Sequence, residues 1–224
     1  MNLALFDLDN TLLAGDSDVE WPRYLINKGI LDAARYHQEN DRFYQQYKDG
    51  TLDIYEFLDF QLSPLKRYSR AELEAMHAEY MADHIVPIMT AKGMDLVQQH
   101  LDAGDLVLII TATNRFITAP IAAAFQVPHL IATELEEDEQ GNFTGKPTGT
   151  PSFQDGKIVR LNEWLENRGE TLTDYDRIWF YSDSRNDIPL LDIATDPVAV
   201  DPDPVLLAHA QAAGWPVISL REPA

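Results

Sequence analysis

Three short apolar runs each end in a residue that can do oxygen chemistry. Leu3-Ala4-Leu5-Phe6 leads into Asp7 with Asp9 two positions on, Leu106-Val107-Leu108-Ile109-Ile110 into Thr111, and Ile178-Trp179-Phe180-Tyr181 into Ser182 and Asp183, with Asp187 just beyond. Ligands of open α/β sheets bind outside the carboxyl ends of the strands. The three run ends therefore predict one pocket holding up to four carboxylates and a hydroxyl. Such a cluster repels itself, and a hard cation would relieve it. Mg²⁺ takes oxygen ligands, keeps some of its waters and bridges to phosphate. Thr111 opens Thr-Ala-Thr-Asn at the start of a helical pattern, where a hydroxyl and backbone N–H groups suit a phosphate oxygen. Lys157 begins a further helical pattern, where its charge opposes the helix dipole, so it answers to something other than its own helix.

The elements that must position these residues follow from periodicity. Continuous apolar runs suit strands buried on both faces, the mark of a parallel sheet. His129–Thr133, Pro197–Val200 and Val217-Ile218 add candidate strands. Ala91, Met94, Val97 and Leu101 make one helical stripe stopped by Gly104, and Ile158, Leu161, Trp164 and Leu165 another closed by Gly169. A helix from Asn114 to Phe125 follows the Thr111 strand, with Thr113 as its cap. The alternation predicts an α/β fold, a Rossmann-like parallel sheet. Residues 15–85 break the rhythm, with helical segments near 18–28, 32–48 and 53–62 and a Ser69/Glu72 capping box ahead of Leu73, Met76, Tyr80 and Met81. The expected organisation is a core of 1–14 and 86–224 with an inserted all-helical cap at 15–85. Trp21, Tyr24, Phe43, Tyr44 and Tyr47 are expected in the cap's own core, with a cleft-facing place open to some of them. Residues 134–149 read as an exposed hairpin turning at Gly141-Asn142, with Glu136–Glu139 a solvated run.

Composition narrows the partners. The 224 residues carry 37 acidic and 17 basic side chains, a formal net charge of −20. That field repels nucleic acid and anionic lipid. The absence of cysteine removes disulfides, thiolate metal sites and cysteine nucleophiles. No apolar run approaches the roughly 20 residues that span a bilayer. Met1–Asp7 lacks the basic region of a signal peptide, so the expected setting is cytoplasmic. The six histidines have no metal-binding spacing.

Asp7-Leu8-Asp9-Asn10-Thr11-Leu12 resembles the first motif of the haloacid dehalogenase superfamily, Thr111 its second, Lys157 its third and Asp183-Ser184-Arg185-Asn186-Asp187 its fourth. The helical insert is similar to the cap of the phosphoserine phosphatase-like branch. One departure is Ser182, where the family commonly has glycine. The resemblance implies a Mg²⁺-dependent phosphomonoesterase working through an aspartyl-phosphate. Asp7 is then the nucleophile and Asp9 the general acid and base. Asp7, Asp183 and the Asp9 backbone carbonyl hold the metal, and Asp187 binds it through water or orients the site. Thr111, the N–H of Ala112 and Lys157 stabilise the transferred oxygens, and Asn186 reaches a metal water or a phosphoryl oxygen. An acid at position 9 separates this pattern from the superfamily's dehalogenases and ion pumps.

Asp16 occupies the position where the resembling phosphatases meet a substrate ammonium; its other reading, with Ser17 and Asp18, is a cap for the following helix. A small phosphate ester carrying an amine is the expected substrate. Histidinol phosphate precedes phosphoserine, because no arginine is placed for a substrate carboxylate. A phosphotransferase or phosphomutase using the same intermediate, and a non-catalytic binding module on the fold, are the alternatives.

Overall fold

Every residue of Leu3–Phe6 (β1) is apolar and fully buried, which puts this strand at the centre of the sheet rather than at an edge. The structure, a computed structural model, describes residues 1–49 and 51–221. Parallel neighbours flank β1: Leu106–Asn114 (β2) and Ile178–Ser182 (β5). Outward from β2 lie His129–Glu137 (β3) and Phe143–Thr148 (β4); outward from β5 lie Asp196–Val200 (β6) and Val217–Ile218 (β7). All pairings in this seven-stranded sheet are parallel except β3 with β4. Side chains alternate between two apolar layers. Ala4, Phe6, Val107 and Ile109 face one, and Leu3, Leu5, Leu108 and Ile110 the other.

Helices cover both layers. Ala91–Asp102 (α5), Arg115–Ala124 (α6), Asp155–Glu166 (α7), the short Ile188–Leu191 (α8) and Pro204–Ala213 (α9) alternate with the strands. Asn114 accepts the Ile117 N–H and is the true cap of α6, so the expectation of a Thr113 cap is corrected; β2 runs three residues past Thr111. Between β1 and α5 come Ser17–Asn27 (α1), Ala33–Asp49 (α2), Ile54–Leu62 (α3) and Arg70–Tyr80 (α4), with no strand among the described residues of this stretch. Ser69 and Glu72 form the expected capping box of α4. The chain leaves and returns side by side: Leu13 bridges Met89, and the Thr90 hydroxyl donates to the Leu12 carbonyl at 3.0 Å.

Trp21, Tyr24 and Phe43 are buried as expected, but Tyr44 is 55% exposed and joins a cavity wall instead. The side chain of Tyr47 lies outside the described residues. The hairpin turns where expected, with Gly141 in the left-handed region (φ 78°). Its acidic run is exposed, yet the hairpin is docked on the helical insert rather than standing free in solvent. Arg70 stacks on Phe143 and pairs with Glu137, and Gly145 lies so close to the Leu62 carbonyl that a Cβ there would come within 3.3 Å.

Candidate active site

Register brings the chemistry together. Phe6 is level with Ile109 on one side and Tyr181 on the other, so Asp7, Ile110-Thr111 and Ser182-Asp183 leave the sheet at the same height. Past Asp7 the backbone turns sharply: Asp9 is extended, and Asn10 adopts the left-handed region at φ 57°, which non-glycine residues seldom enter. The opposing wall comes from the insert. A cavity of about 460 Å³ lies between them, lined by Asp7, Asp9, Thr111, Ala112, Lys157, Asp183, Asn186 and Asp187 from the core side. Asp16 and Asp18 line it from the insert. All nine residues singled out from sequence, Ala112 for its N–H, therefore border one space.

Lys157 is 3% exposed, and its ammonium donates to Asp7 Oδ1 at 2.8 Å and to Asp187 Oδ2 at 2.7 Å. Burial alone would lower its pKa, but Asp187 and Asp7 together hold it above the usual lysine value. The misfit noted at the start of α7 thus has a cause in tertiary structure. Gly156 makes the placement possible, since a Cβ there would sit 2.1 Å from the Pro151 carbonyl oxygen. Ser182, the departure from the family motif, donates its hydroxyl to Asp187 Oδ2 at 2.6 Å.

Thr11 is completely buried, and its hydroxyl lies 3.3 Å from Asp7 Oδ2 and 3.1 Å from Asp183 Oδ1 while accepting the Asp183 N–H. Asp7 and Asp183 thus flank one hydroxyl oxygen. Burial raises the Asp7 carboxyl well above its ordinary value, with Lys157 opposing and Asp187 and Asp183 adding to the rise. Burial likewise raises Asp183 to about 6, against the Thr11 hydrogen bond.

The four carboxylates do not form a bare cluster. Among the described residues no three His, Asp or Glu side chains converge into a cation cage. Lys157 neutralises Asp7 and Asp187, and the Asp9 carboxyl turns toward the insert. It accepts the Ser17 N–H at 2.6 Å and the Thr113 hydroxyl at 2.8 Å, with the Thr111 hydroxyl at 3.5 Å. What remains for a cation is Asp7, Asp183 and the backbone turn, a donor set of two acids on either side of the Thr11 hydroxyl. This fits a small hard cation that keeps several waters, as Mg²⁺ does.

Asp16 caps α1, accepting the Asp18 and Val19 N–H groups, and still borders the cavity, so its two readings are compatible. Burial and the neighbouring Asp9 and Asp18 raise its pKa well above the ordinary value. Asp18, expected only as part of a helix cap with Asp16 and Ser17, accepts from Gln61 at 3.1 Å, while Tyr36 donates to Gln61 at 3.0 Å. Burial and Asp9 push Asp18 up to about 7, Gln61 opposing. Phe43, Tyr44 and Phe57 complete this acidic, aromatic wall, and Lys157 is the only Lys or Arg among the described lining residues. Asn186 is tied to Ser184 and Gln154, each at 3.2 Å.

Residues 4–192 match the haloacid dehalogenase-like hydrolase family. The chain is 50% identical over 220 residues to a histidinol-phosphatase of Neisseria meningitidis serogroup C (strain 8013), covering 98% of this chain and 99% of that one. It is 31% identical over 221 residues to a phosphoserine phosphatase of Mycobacterium tuberculosis (strain ATCC 25618 / H37Rv), covering 97% of this chain and 70% of the relative. A Bordetella pertussis Tohama I protein of unknown function superposes with a TM-score of 0.93 at 48% identity, covering 98% and 99% of the two chains. A substrate-bound phosphoserine phosphatase superposes at 0.67 with 18% identity, covering 98% and 93%, a likeness of fold.

Proposed function

We propose, for a chain that belongs to the haloacid dehalogenase-like hydrolase family and is a phosphoric monoester hydrolase, that it removes phosphate from histidinol phosphate by way of an aspartyl-phosphate on Asp7. The observation that carries the substrate is the far wall of the cavity. It presents the carboxylates of Asp16 and Asp18 among aromatic rings, and no lysine or arginine among its described residues. An alcohol phosphate bearing an amine and a flat heteroaromatic ring complements that wall, and the relative at 50% identity is named for this substrate. Phosphoserine would bring a carboxylate to the same wall without a cation to receive it, at a cost in desolvation and repulsion.

In the mechanism, an Asp7 oxygen attacks phosphorus in line as the bond to the leaving alcohol oxygen breaks. The Asp9 carboxyl delivers a proton to that oxygen, then accepts one from the water that cleaves the acyl phosphate. The Thr111 hydroxyl, the Ala112 N–H and Lys157 hold the transferred oxygens. Asp187 and Ser182 keep the Lys157 ammonium aimed at Asp7. Asn186 stands within the same cavity as a further amide donor. Asp7, Asp183 and the Asp9 carbonyl would hold Mg²⁺, which offsets negative charge on the phosphoryl group when bound. Residues 15–85 act as a cap that excludes water and supplies Asp16 and Asp18 to the substrate.

The test is kcat/KM for histidinol phosphate, phosphoserine and p-nitrophenyl phosphate, with and without EDTA. Histidinol phosphate is expected to lead by at least about tenfold, with inorganic phosphate as product and activity lost in EDTA. A preference for phosphoserine refutes the substrate. Phosphate appearing on an acceptor other than water refutes hydrolysis.

A further inference from the structure

The turn after β1 is held from outside by a residue far along the chain. Asn10 occupies the left-handed region at φ 57°, which among non-glycine residues asparagine tolerates best. Asn10 N–H donates to the Gly15 carbonyl at 2.8 Å. On the other side the guanidinium of Arg221, 211 positions away, donates to the Asn10 carbonyl at 2.5 Å and to the Thr11 carbonyl at 3.4 Å. Arg221 lies beyond residues 4–192, which carry the family match, so none of the motifs includes it.

Its own position is fixed. The Arg221 carbonyl accepts from Lys92 of α5 at 2.6 Å, and its Nε stands 3.9 Å from Asp201 Oδ2, which also takes the Leu220 N–H at 3.0 Å. Leu220 is 5% exposed in the apolar core, and Ile218 pairs with Val200 in the sheet. A guanidinium is a rigid planar fork suited to two neighbouring carbonyl oxygens, which a lysine ammonium cannot reproduce.

We infer that Arg221 is a positioning residue for catalysis. By fixing the Asn10 and Thr11 peptides it sets the Asp9 carbonyl and carboxyl on one side of the turn. On the other it sets the Thr11 hydroxyl that lies between Asp7 and Asp183. This rests on the assigned roles of Asp7 and Asp9 but not on the identity of the substrate.

The test uses the full chain with p-nitrophenyl phosphate at saturating Mg²⁺. Arg221→Met keeps the apolar stem and removes the donors, and Arg221→Lys keeps the charge and loses the fork. The Met variant is expected to lose about tenfold to a hundredfold in kcat with KM nearly unchanged, and the Lys variant to fall between it and the wild type. Calorimetric titration with Mg²⁺ in the absence of substrate is expected to show weaker binding in both. Wild-type kcat in the folded variants, a loss confined to KM, or a lowered urea midpoint with full kcat overturns the inference. Should Arg221→Met not fold, the kcat of Arg221→Lys decides by the same criteria. Asp7→Asn separates the two levels: if it remains active the assigned mechanism fails, whereas an inactive Asp7→Asn beside fully active Arg221 variants removes the positioning role alone.

Discussion

Replacing Lys157 with methionine removes the ammonium that faces both Asp7 and Asp187 while keeping a stem of similar length. The site is buried, with the lysine side chain 4% exposed and its partners 9% and 2% exposed, so solvent screens these contacts little. Two carboxylates would be left facing each other without their shared cation. Breaking a buried ion pair from one side costs about 3–5 kcal/mol, and the apolar stem returns little of this because it meets carboxylates. Urea unfolding at neutral pH is therefore expected to show a loss of about 3 kcal/mol. Adding Asp187→Asn should restore part of it, since Ser182 still donates to position 187, giving a coupling of at least about 1 kcal/mol in the double-mutant cycle. The pH dependence has a definite sign. Asp7 already titrates above its ordinary 3.8, so the folded state binds protons more readily than the unfolded chain. Without Lys157 that difference widens, and the deficit of Lys157→Met should shrink as pH falls from neutrality toward 3.8. Turnover should fall by at least about a hundredfold, because a donor to the transferred oxygens is gone. A loss below about 1 kcal/mol, additive with Asp187→Asn, would refute the view that Lys157 neutralises this pair.

Other perturbations probe separate parts of the account. Asp9→Asn should cost at least about a hundredfold in kcat on an alkyl phosphate and much less on p-nitrophenyl phosphate during transfer to Asp7, because a nitrophenolate leaves without a proton. Equal losses on both in single-turnover measurements would argue against Asp9 as the acid. Asp18→Asn should raise KM for histidinol phosphate by about tenfold, with a smaller effect on p-nitrophenyl phosphate, which carries no cation; equal KM changes would remove Asp18 from substrate recognition. Glu134 gives a pH test of the fold. Burial raises its pKa, but Arg115 and Arg160 outweigh that and hold it below 4.5. Its stabilising contribution is therefore full above pH 4.5 and lost as pH falls through the lowered value, so Glu134→Gln should flatten acid unfolding in that window. An unchanged acid limb would contradict this.

The sheet and the site were legible wherever local chemistry carried the signal. The uninterrupted apolar run of β1 announced a central strand, and the polar residues at three strand ends announced a shared pocket. The dipole misfit of Lys157 pointed outward to the partners it meets, Asp7 and Asp187. What stayed hidden depends on contacts that neither periodicity nor spacing encodes. The pattern around Thr11 does not indicate that its hydroxyl lies between Asp7 and Asp183, and the pattern around Gly156 does not indicate that the Pro151 carbonyl, five residues back, excludes a side chain. Ser182 stood out only as a departure from the family's glycine, whereas its hydroxyl holds Asp187. The hairpin's acidic run suggested free solvent because its partner, Arg70, stands on a helix 67 positions earlier. Tyr44 fits the helical stripe of α2 but lines the cavity, since a lining residue and a core residue share the same periodicity. Among the described residues, no helix is long and apolar enough to cross a membrane.

The claim on which the rest depends is that Asp7 itself carries the phosphoryl group during turnover. Borohydride reduction of enzyme quenched during steady-state hydrolysis, followed by peptide mass mapping, reads this directly, because an acyl phosphate is reduced to the alcohol. Homoserine is expected at position 7, enriched when Asp9→Asn slows hydrolysis of the acyl phosphate and absent from Asp7→Asn. Continued turnover with aspartate intact at position 7 under the conditions that reduce an acyl phosphate standard would contradict it.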